Sequence, residues 1–296
     1  MTAPAWQRTL RTVLAWMVVG LFAFPIYFWI TVAFKPERDV FALPPKLFDF
    51  DWNTDSFEEV FGISLGFDGL AVLPGGGNFY MLPNLWSSVV VAVLSTLLTV
   101  LIGTLAAYAL SRMRIRGQHH FVFWVLSTRM MPPVAVAIPM FFIYKNVGQA
   151  TGFQLLDTYT GIVLVHALMN LPLAVLLLKS FFDDIPTEID EAALIDGASR
   201  WLIFRKIVAP MALGGVAATA VLCFIFSWTE FLFVLTLTQT GLKTVPVVSS
   251  TFVTSTGTAW GNMAALGTAA MIPAFVFILL VQRNLVRGLT LGSLKQ

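Results

Sequence analysis

The sequence predicts an all-α, polytopic membrane protein with six transmembrane helices and both termini in the cytoplasm. Three observations predict it. Of 296 residues, 57% are hydrophobic and only 11% charged, against roughly 25% charged in ordinary soluble domains. Six segments reach the ~20 mostly apolar residues that a helix needs to cross a bilayer. Lys and Arg are shared unevenly between the segments that connect them: twelve fall at the termini and in the even-numbered loops, five in the odd-numbered loops, and Arg129 lies within a span. The positive-inside rule puts the Lys/Arg-rich side, with both termini and the 180–207 loop, in the cytoplasm.

The expected spans, taken as one domain over 1–296, are roughly 12–34, 85–110, 120–144, 159–179, 208–235 and 264–282. The first follows Arg8 and Arg11 and runs TVLAWMVVGLFAFPIYFWITVAF. A signal peptide has an apolar core of about 7–15 residues that ends at small residues. This run is longer and ends in aromatics and Lys35, so it reads as an uncleaved span. The 35–84 segment is expected outside. It holds eight Asp/Glu, the pair Pro44–Pro45 and the run Pro74-Gly75-Gly76-Gly77-Asn78. Its aromatics (Phe48, Phe50, Trp52, Phe57, Phe61, Phe67) predict a partly packed flap. Loops this long are usually functional or disordered, and two readings stand: docking of an outside partner, or a plain extracytoplasmic cap.

The second span has no charge and carries Gly103, Thr104, Ala106 and Ala107, small residues that let helices approach closely. The third contains Arg129 followed by Met130, Met131, Pro132 and Pro133. Two prolines remove two backbone donors, so a break or kink is expected there. A charge at mid-membrane costs at least ~2.5–3.5 kcal/mol, so Arg129 either faces a water-filled path or snorkels to the headgroups. The fourth span holds His166, read as a helix-to-helix hydrogen bonder ahead of a proton relay, and Asn170, whose amide could bond the carbonyl freed by Pro172 or a solute. The fifth opens at Pro210, contains Gly214 and Gly215, and carries Trp228 and Glu230 towards its outer end. Both residues fit either an interface position or a translocation path. The sixth contains Pro273.

Several chemistries find no support. H-E-x-x-H, G-x-S-x-G and the phosphate loop G-x-x-x-x-G-K-[ST] are missing, and Gly241-Leu242-Lys243-Thr244 is no match. His119, His120 and His166 lack metal-ligand spacing. The single Cys223 sits in an apolar run and cannot form an intrachain disulfide. A net charge of +2 gives nucleic acid little to bind. No catalytic residue, metal or cofactor is expected in this chain, and it is not expected to be an enzyme. Uphill transport would draw on another chain or an ion gradient.

The loop 183–206 breaks the apolar pattern. Pro186 suits a first helical turn, and Glu188, Asp190 and Glu191 complement the positive end of the helix dipole. Ile185, Ile189, Ala192 and Ala193 fall on one expected face. Gly197 can take the left-handed conformation that ends a helix. Beyond it, Arg200, Arg205 and Lys206 flank Trp201 and Phe204, a composition for the headgroup interface. The residues alone leave two readings: a helix presented to a soluble partner, or an amphipathic helix lying on the membrane.

The stretch also resembles the permease signature of ABC importers: E-A-A, three residues, G, nine residues, then I-x-L-P. Here it reads Glu191-Ala192-Ala193, Gly197, Ile207 and Pro210, departing at Ala209, where that family usually has leucine. FPIYFWITVAFK (24–35), STRMMPP (127–133), SWTEFLF (227–233) and the tail QRNLVRGLTLGSLKQ (282–296) are similar to the smaller, maltose-type permease of carbohydrate importers, with Thr229 where asparagine is usual. The resemblance implies that Glu191, Ala192, Ala193, Asp196 and Gly197 couple to an ATPase subunit, with weaker tail contacts at Gly288 and Gly292. From the residues themselves, the candidates for a translocation path are Arg129, Asn170, Trp228 and Glu230. The implied partners are a second permease, two ATPase subunits holding ATP and Mg, an extracytoplasmic solute-binding protein and the lipid of a bacterial inner membrane. The alternative function is an ion-coupled secondary transporter, and behind that an intramembrane enzyme.

Overall fold

The computed structural model describes residues 5–64, 71–72, 81–255 and 257–292. Phe67 and the run 74–78 lie outside the described residues. In chain order the helices are α1 (Ala5–Val32), α2 (Glu37–Val40), α3 (Asp55–Phe61), α4 (Leu82–Arg112), α5 (Gln118–Arg129), α6 (Pro133–Thr151), α7 (Tyr159–Asp183), α8 (Glu188–Ile195) and α9 (Arg200–Ile203). A π-helical turn, Phe204–Val208, leads into α10 (Ala209–Met211), α11 (Leu213–Trp228), α12 (Leu232–Leu237), α13 (Val245–Thr251) and α14 (Trp260–Gly292). Two small antiparallel hairpins, β1 (Ile63–Ser64) with β2 (Ala71–Val72) and β3 (Val253–Thr254) with β4 (Gly257–Thr258), pair Ile63 with Val72 and Val253 with Thr258.

Among the described residues, four helices are long and apolar enough to cross a membrane: Trp6–Val32, Leu82–Arg112, Tyr159–Asp183 and Trp260–Gln282. Two further stretches qualify only as bent pairs. Where the sequence predicts one span over 120–144, α5 and α6 meet at 95°. Met131, preceding Pro132, is kept out of the helical region, and Pro133 starts α6 where its missing N–H costs nothing. The fifth expected span, 208–235, is broken twice. The segment Arg200–Met211 is bent 73° from α11. Pro210 cannot donate to the Lys206 carbonyl, and the turn before it is π-helical. The helix breaks again over Thr229–Phe231, before α12. By contrast α1, α7 and α14 run through Pro25, Pro172 and Pro273.

The chain forms two compact units: Met1–Pro83 with Val248–Met271, and Asn84–Val247 with Ile272–Gln296. In the first unit, the end of α1 carries the folded part of the 35–84 loop. Tyr27 donates to the Leu47 carbonyl at 2.7 Å, and Phe34 sits against Trp52 and Phe57. The buried Lys35 ammonium lies 4.7 Å from the Phe50 ring centre and 5.1 Å from that of Phe28. Burial lowers its pKa, with Asp39 pulling the other way. A cleft of about 470 Å³ opens beside Glu37, Asn53, Asp55, Glu59, Trp260 and Asn262.

In the second unit, α4, α7 and α11 pack closely. A Cβ on Gly103 would lie 3.1 Å from the Ala174 Cβ, so α4 and α7 approach at small residues. Gly215 of α11 leaves room for the Phe181 ring, which any side chain there would strike. One buried cluster gathers Tyr144, Ile162, Phe233 and Leu237. A second gathers Ala107, Tyr108, Leu178, Phe182, Ile203 and Phe204. Asp157, in a left-handed conformation (φ 58°), fastens the 239–242 turn ahead of α7. Its carboxylate accepts from the backbone N–H groups of Gln239, Thr240, Gly241 and Leu242. Partial burial pushes its pKa up, but those four donors hold it below the usual carboxylate range.

Candidate functional site: a docked loop helix and a polar cavity

The loop helix α8 is built by its sequence and held by its neighbours. Glu188, Asp190 and Glu191 occupy its first turn. Its end is a Schellman motif: Gly197 N–H bonds the Leu194 carbonyl and Ala198 N–H the Ala193 carbonyl, both at 3.0 Å, with Gly197 at φ 80°. Ile185, Ile189 and Ala193, spaced by four, pack onto the Tyr108–Phe182–Phe204 cluster. Ala192, expected on that face, is exposed instead. Strict i, i+4 spacing puts 185, 189 and 193 in line and turns 192 away. The outward face therefore presents Glu188, Glu191, Ala192 and Ile195, with Ile195 86% exposed. Asp196 and Gly197 are exposed at its end.

Sequence reasoning missed the residue that locks this helix. Arg112, counted above only as a topology charge, ends α4 with its Nε 3.0 Å from Asp190 Oδ2. The pair is buried, with side-chain exposures of 5% and 13%. It makes ion-pair distance without hydrogen-bond alignment. Arg112 Nη2 also donates to the Ile185 carbonyl at 2.7 Å. One guanidinium thus clamps both the entry to α8 and its first turn. Arg112 carried no signal beyond its charge, because the partner is 78 positions away in the chain. Gly288 and Gly292 fall in the last turns of α14.

The second feature is a cavity of about 280 Å³ where both broken spans meet. Arg129, Met131 and Pro133 line it from the α5–α6 break; Phe226, Ser227, Glu230 and Phe233 line it from the α11–α12 break; His166, Met169 and Asn170 come from α7. Arg129 is exposed, donates from Nη1 to the Met169 carbonyl at 2.9 Å and lies 5.0 Å over the Phe226 ring. Glu230 caps α12: Oε1 accepts from Phe233 N–H at 2.8 Å and Oε2 from Val234 N–H at 3.2 Å. Its Oε2 also lies 3.2 Å from His166 Nε2. His166, only 2% exposed, reaches Ser227 Oγ with Nδ1 at 2.6 Å, and Ser227 Oγ is 2.8 Å from Ser95 Oγ on α4. The structure thus brings Arg129, Asn170 and Glu230 together. Asn170 reaches across to the Cys223 carbonyl at 3.5 Å rather than back along its own helix. Trp228 is not part of the lining; it stacks on Phe224. The serines had no motif to reveal them, and His166 was visible only as a polar group in an apolar span.

Helices broken beside a polar cavity, with an acid-started helix docked at the end of a long span, are the parts of a transporter. A family model described as a binding-protein-dependent transport system inner membrane component matches residues 99–291. The chain belongs to that family. It is a transmembrane permease subunit, and its family is one of transporters, not enzymes. The permease is 33% identical over 97% of its length to a probable ABC transporter permease protein, y4oR, of Sinorhizobium fredii, of which it covers 96%. It is 31% identical over 98% of its length to the trehalose transport system permease protein SugB of Mycobacterium tuberculosis, of which it covers 98%. Its fold matches a chain of the crystal structure of a bacterial ABC transporter involved in the import of the acidic polysaccharide alginate. That match has a TM-score of 0.69 and 20% identity, and covers 96% of this chain and 99% of the other.

Proposed function

We propose that this permease forms half of the translocation path of an ATP-driven carbohydrate importer in a bacterial cytoplasmic membrane, with both termini on the cytoplasmic side. The observation that carries the reading is α8. It is too short to stand alone, yet it is docked through Ile185, Ile189 and the Arg112–Asp190 pair, while Glu188, Glu191, Ala192 and Ile195 are left exposed. Such a helix can receive a force and pass it to the spans. Glu191, Ala192, Ala193, Asp196 and Gly197 are its coupling residues, and Gly288 and Gly292 add weaker contacts. The partners are a second, non-identical permease, two ATPase subunits that hold ATP and Mg, and an extracytoplasmic solute-binding protein. The chain itself performs no chemistry and needs no cofactor. A sugar, sugar alcohol or sugar derivative as solute is supported by the likeness to the trehalose transport system permease. Arg129, Asn170 and Glu230 line the path.

Glu191→Lys and Gly197→Asp test this in the complete complex in liposomes. Each is expected to abolish ATPase association and solute-stimulated ATP hydrolysis while the chain still inserts. Survival of both properties in both variants would rule out α8 as the coupling helix. Uptake that persists without ATP but collapses with an ion gradient would instead establish a secondary transporter.

A further inference from the structure

The hydrogen bonds on the Nδ1 side of His166 can be satisfied in two ways, while Nε2 lies at ion-pair distance from Glu230 without hydrogen-bond alignment. Three hydrogen-bonding side chains stand in a row: His166 Nδ1 to Ser227 Oγ at 2.6 Å, Ser227 Oγ to Ser95 Oγ at 2.8 Å, and Ser95 Oγ to the Ala92 carbonyl at 3.2 Å. Each hydroxyl owns one proton. In the first solution the imidazole is neutral. Its proton is on Nε2, facing Glu230; Nδ1 accepts from Ser227, and Ser227 accepts from Ser95. In the second the imidazole is protonated on both nitrogens. Nδ1 then donates to Ser227, Ser227 to Ser95, and Ser95 to the Ala92 carbonyl. Passing from one to the other adds one proton at Nδ1 and turns two hydroxyls. No heavy atom moves, and each hydroxyl proton in the row has an acceptor in either state.

The surroundings give that proton a reason to bind. Lining the cavity with the ring are Glu230 from the α11–α12 break and Arg129 from α5; α4 contributes the Ser95 hydroxyl through Ser227. Of these, the carboxylate is the group at contact distance, 3.2 Å from Nε2. Two backbone N–H groups of α12 pin it there. Arg129 is engaged by the Met169 carbonyl and the Phe226 ring. The imidazolium and Glu230 together form a neutral pair. Losing the proton leaves the carboxylate charge facing the Arg129 cavity.

We propose that His166, Glu230, Ser227 and Ser95 form a buried proton-binding site that joins α4, α7 and α11 at the break before α12. The proton is held while Glu230 faces His166 and is released to water when movement at the break separates them. The transport cycle of this permease therefore carries a pH-dependent step seated in this chain. The inference rests on the transporter reading only for its activity readout.

Two measurements test it in the assembled complex. In the first, His119→Gln and His120→Gln, both exposed at the start of α5, leave His166 as this subunit's one imidazole. With ¹⁵N-histidine confined to this subunit, its nitrogen resonances are expected to pass from the neutral Nε2–H form to imidazolium as pH falls. A single form from pH 5 to 9 overturns the proposal. In the second, solute-stimulated ATP hydrolysis is followed across the same range. His166→Gln keeps a donor and an acceptor but no titratable nitrogen, and should remove the step. Glu230→Gln removes the charge that faces the ring and should alter the step. A packing role alone would scale the whole profile and leave its midpoint, so an unshifted step in His166→Gln also refutes the site. If no solute stimulates hydrolysis at any pH, the transporter reading fails, and the resonance titration still decides the site.

Discussion

Replacing Asp190 by Asn isolates the clamp that seats α8. The change keeps volume and hydrogen-bonding capacity but leaves the Arg112 guanidinium, 5% exposed, without its counter-charge. Removing one partner of a buried pair costs about 3–5 kcal/mol. Arg112 retains the Ile185 carbonyl at 2.7 Å, and Asp190 is itself 13% exposed, so the lower end applies. About 3 kcal/mol is on the order of a hundredfold in the docking equilibrium of α8. The remaining seat is Ile185 and Ile189, each worth roughly 1.5–3 kcal/mol when fully buried. Loss and residual hold are comparable, so α8 should open frequently without melting the bundle. Amide hydrogen exchange of residues 189–198 in the complex in nanodiscs should quicken about a hundredfold, with α7 unchanged. Arg112→Met with Asp190→Leu should bring exchange back to within about tenfold of the parent, since apolar replacement of both partners is near neutral. Unchanged exchange in Asp190→Asn, or a double variant as loose as the single, would refute the clamp.

Two further outcomes follow from backbone geometry. Gly197 sits at φ 80°, where an L-residue costs about 1–2 kcal/mol; Gly197→Ala should weaken solute-stimulated ATP hydrolysis, while Gly197→Asn, which tolerates this conformation, should retain most of it. Asp157 titrates below its ordinary value in the folded chain, so its contribution is fully present above the unfolded value of about 3.9 and is lost as pH falls through the folded one. The thermal midpoint of Asp157→Asn should therefore lie below the parent's at pH 7, with the gap closing only below about pH 4; a gap that is constant from pH 3 to 7 would show that the carboxylate charge is not what holds the 239–242 turn.

The sequence made some parts legible because their signals are local. Apolar runs mark the spans, Pro132–Pro133 marks the α5–α6 break, and Gly197 marks the end of α8, since each depends on neighbours along the chain. The second break, at Thr229–Phe231, has no proline or glycine. It is set by Glu230 turning its carboxylate onto the Phe233 and Val234 N–H groups, a tertiary choice shared with His166. Arg112 and Asp190, and Ser95 with Ser227, are pairs whose members are ordinary in their own segments. Ala192 shows the limit on a helix this short. Spacing allowed a face with 192 and 193 together, and packing against Phe182 and Phe204 chose the 185–189–193 line.

The clamp and the cavity lie on the same helices, and that constrains how they can be coupled. Ser95 and Arg112 are about 17 residues apart on α4, roughly 25 Å of unbroken helix. On α7, His166 faces the cavity and Phe182 packs beneath α8. Those two helices approach at Gly103 and Ala174, and neither breaks between the two sites. α11 differs: it is bent 73° from Arg200–Met211 at one end and broken before α12 at the other. A force on α8 thus meets two stiff rods and one jointed one. Coupling needs an element with two arrangements, not mere continuity, and here only the jointed segment supplies it. If α8 moves as a unit with the Tyr108–Phe204 cluster, the displacement appears at the joints of α11, where Glu230 either faces His166 or leaves it. Cross-linking Ser95 to Ser227 as a cysteine pair in a Cys223→Ala background should therefore stop transport while leaving ATPase association intact. Transport at the parental rate with the bridge closed would mean that the moving element lies elsewhere.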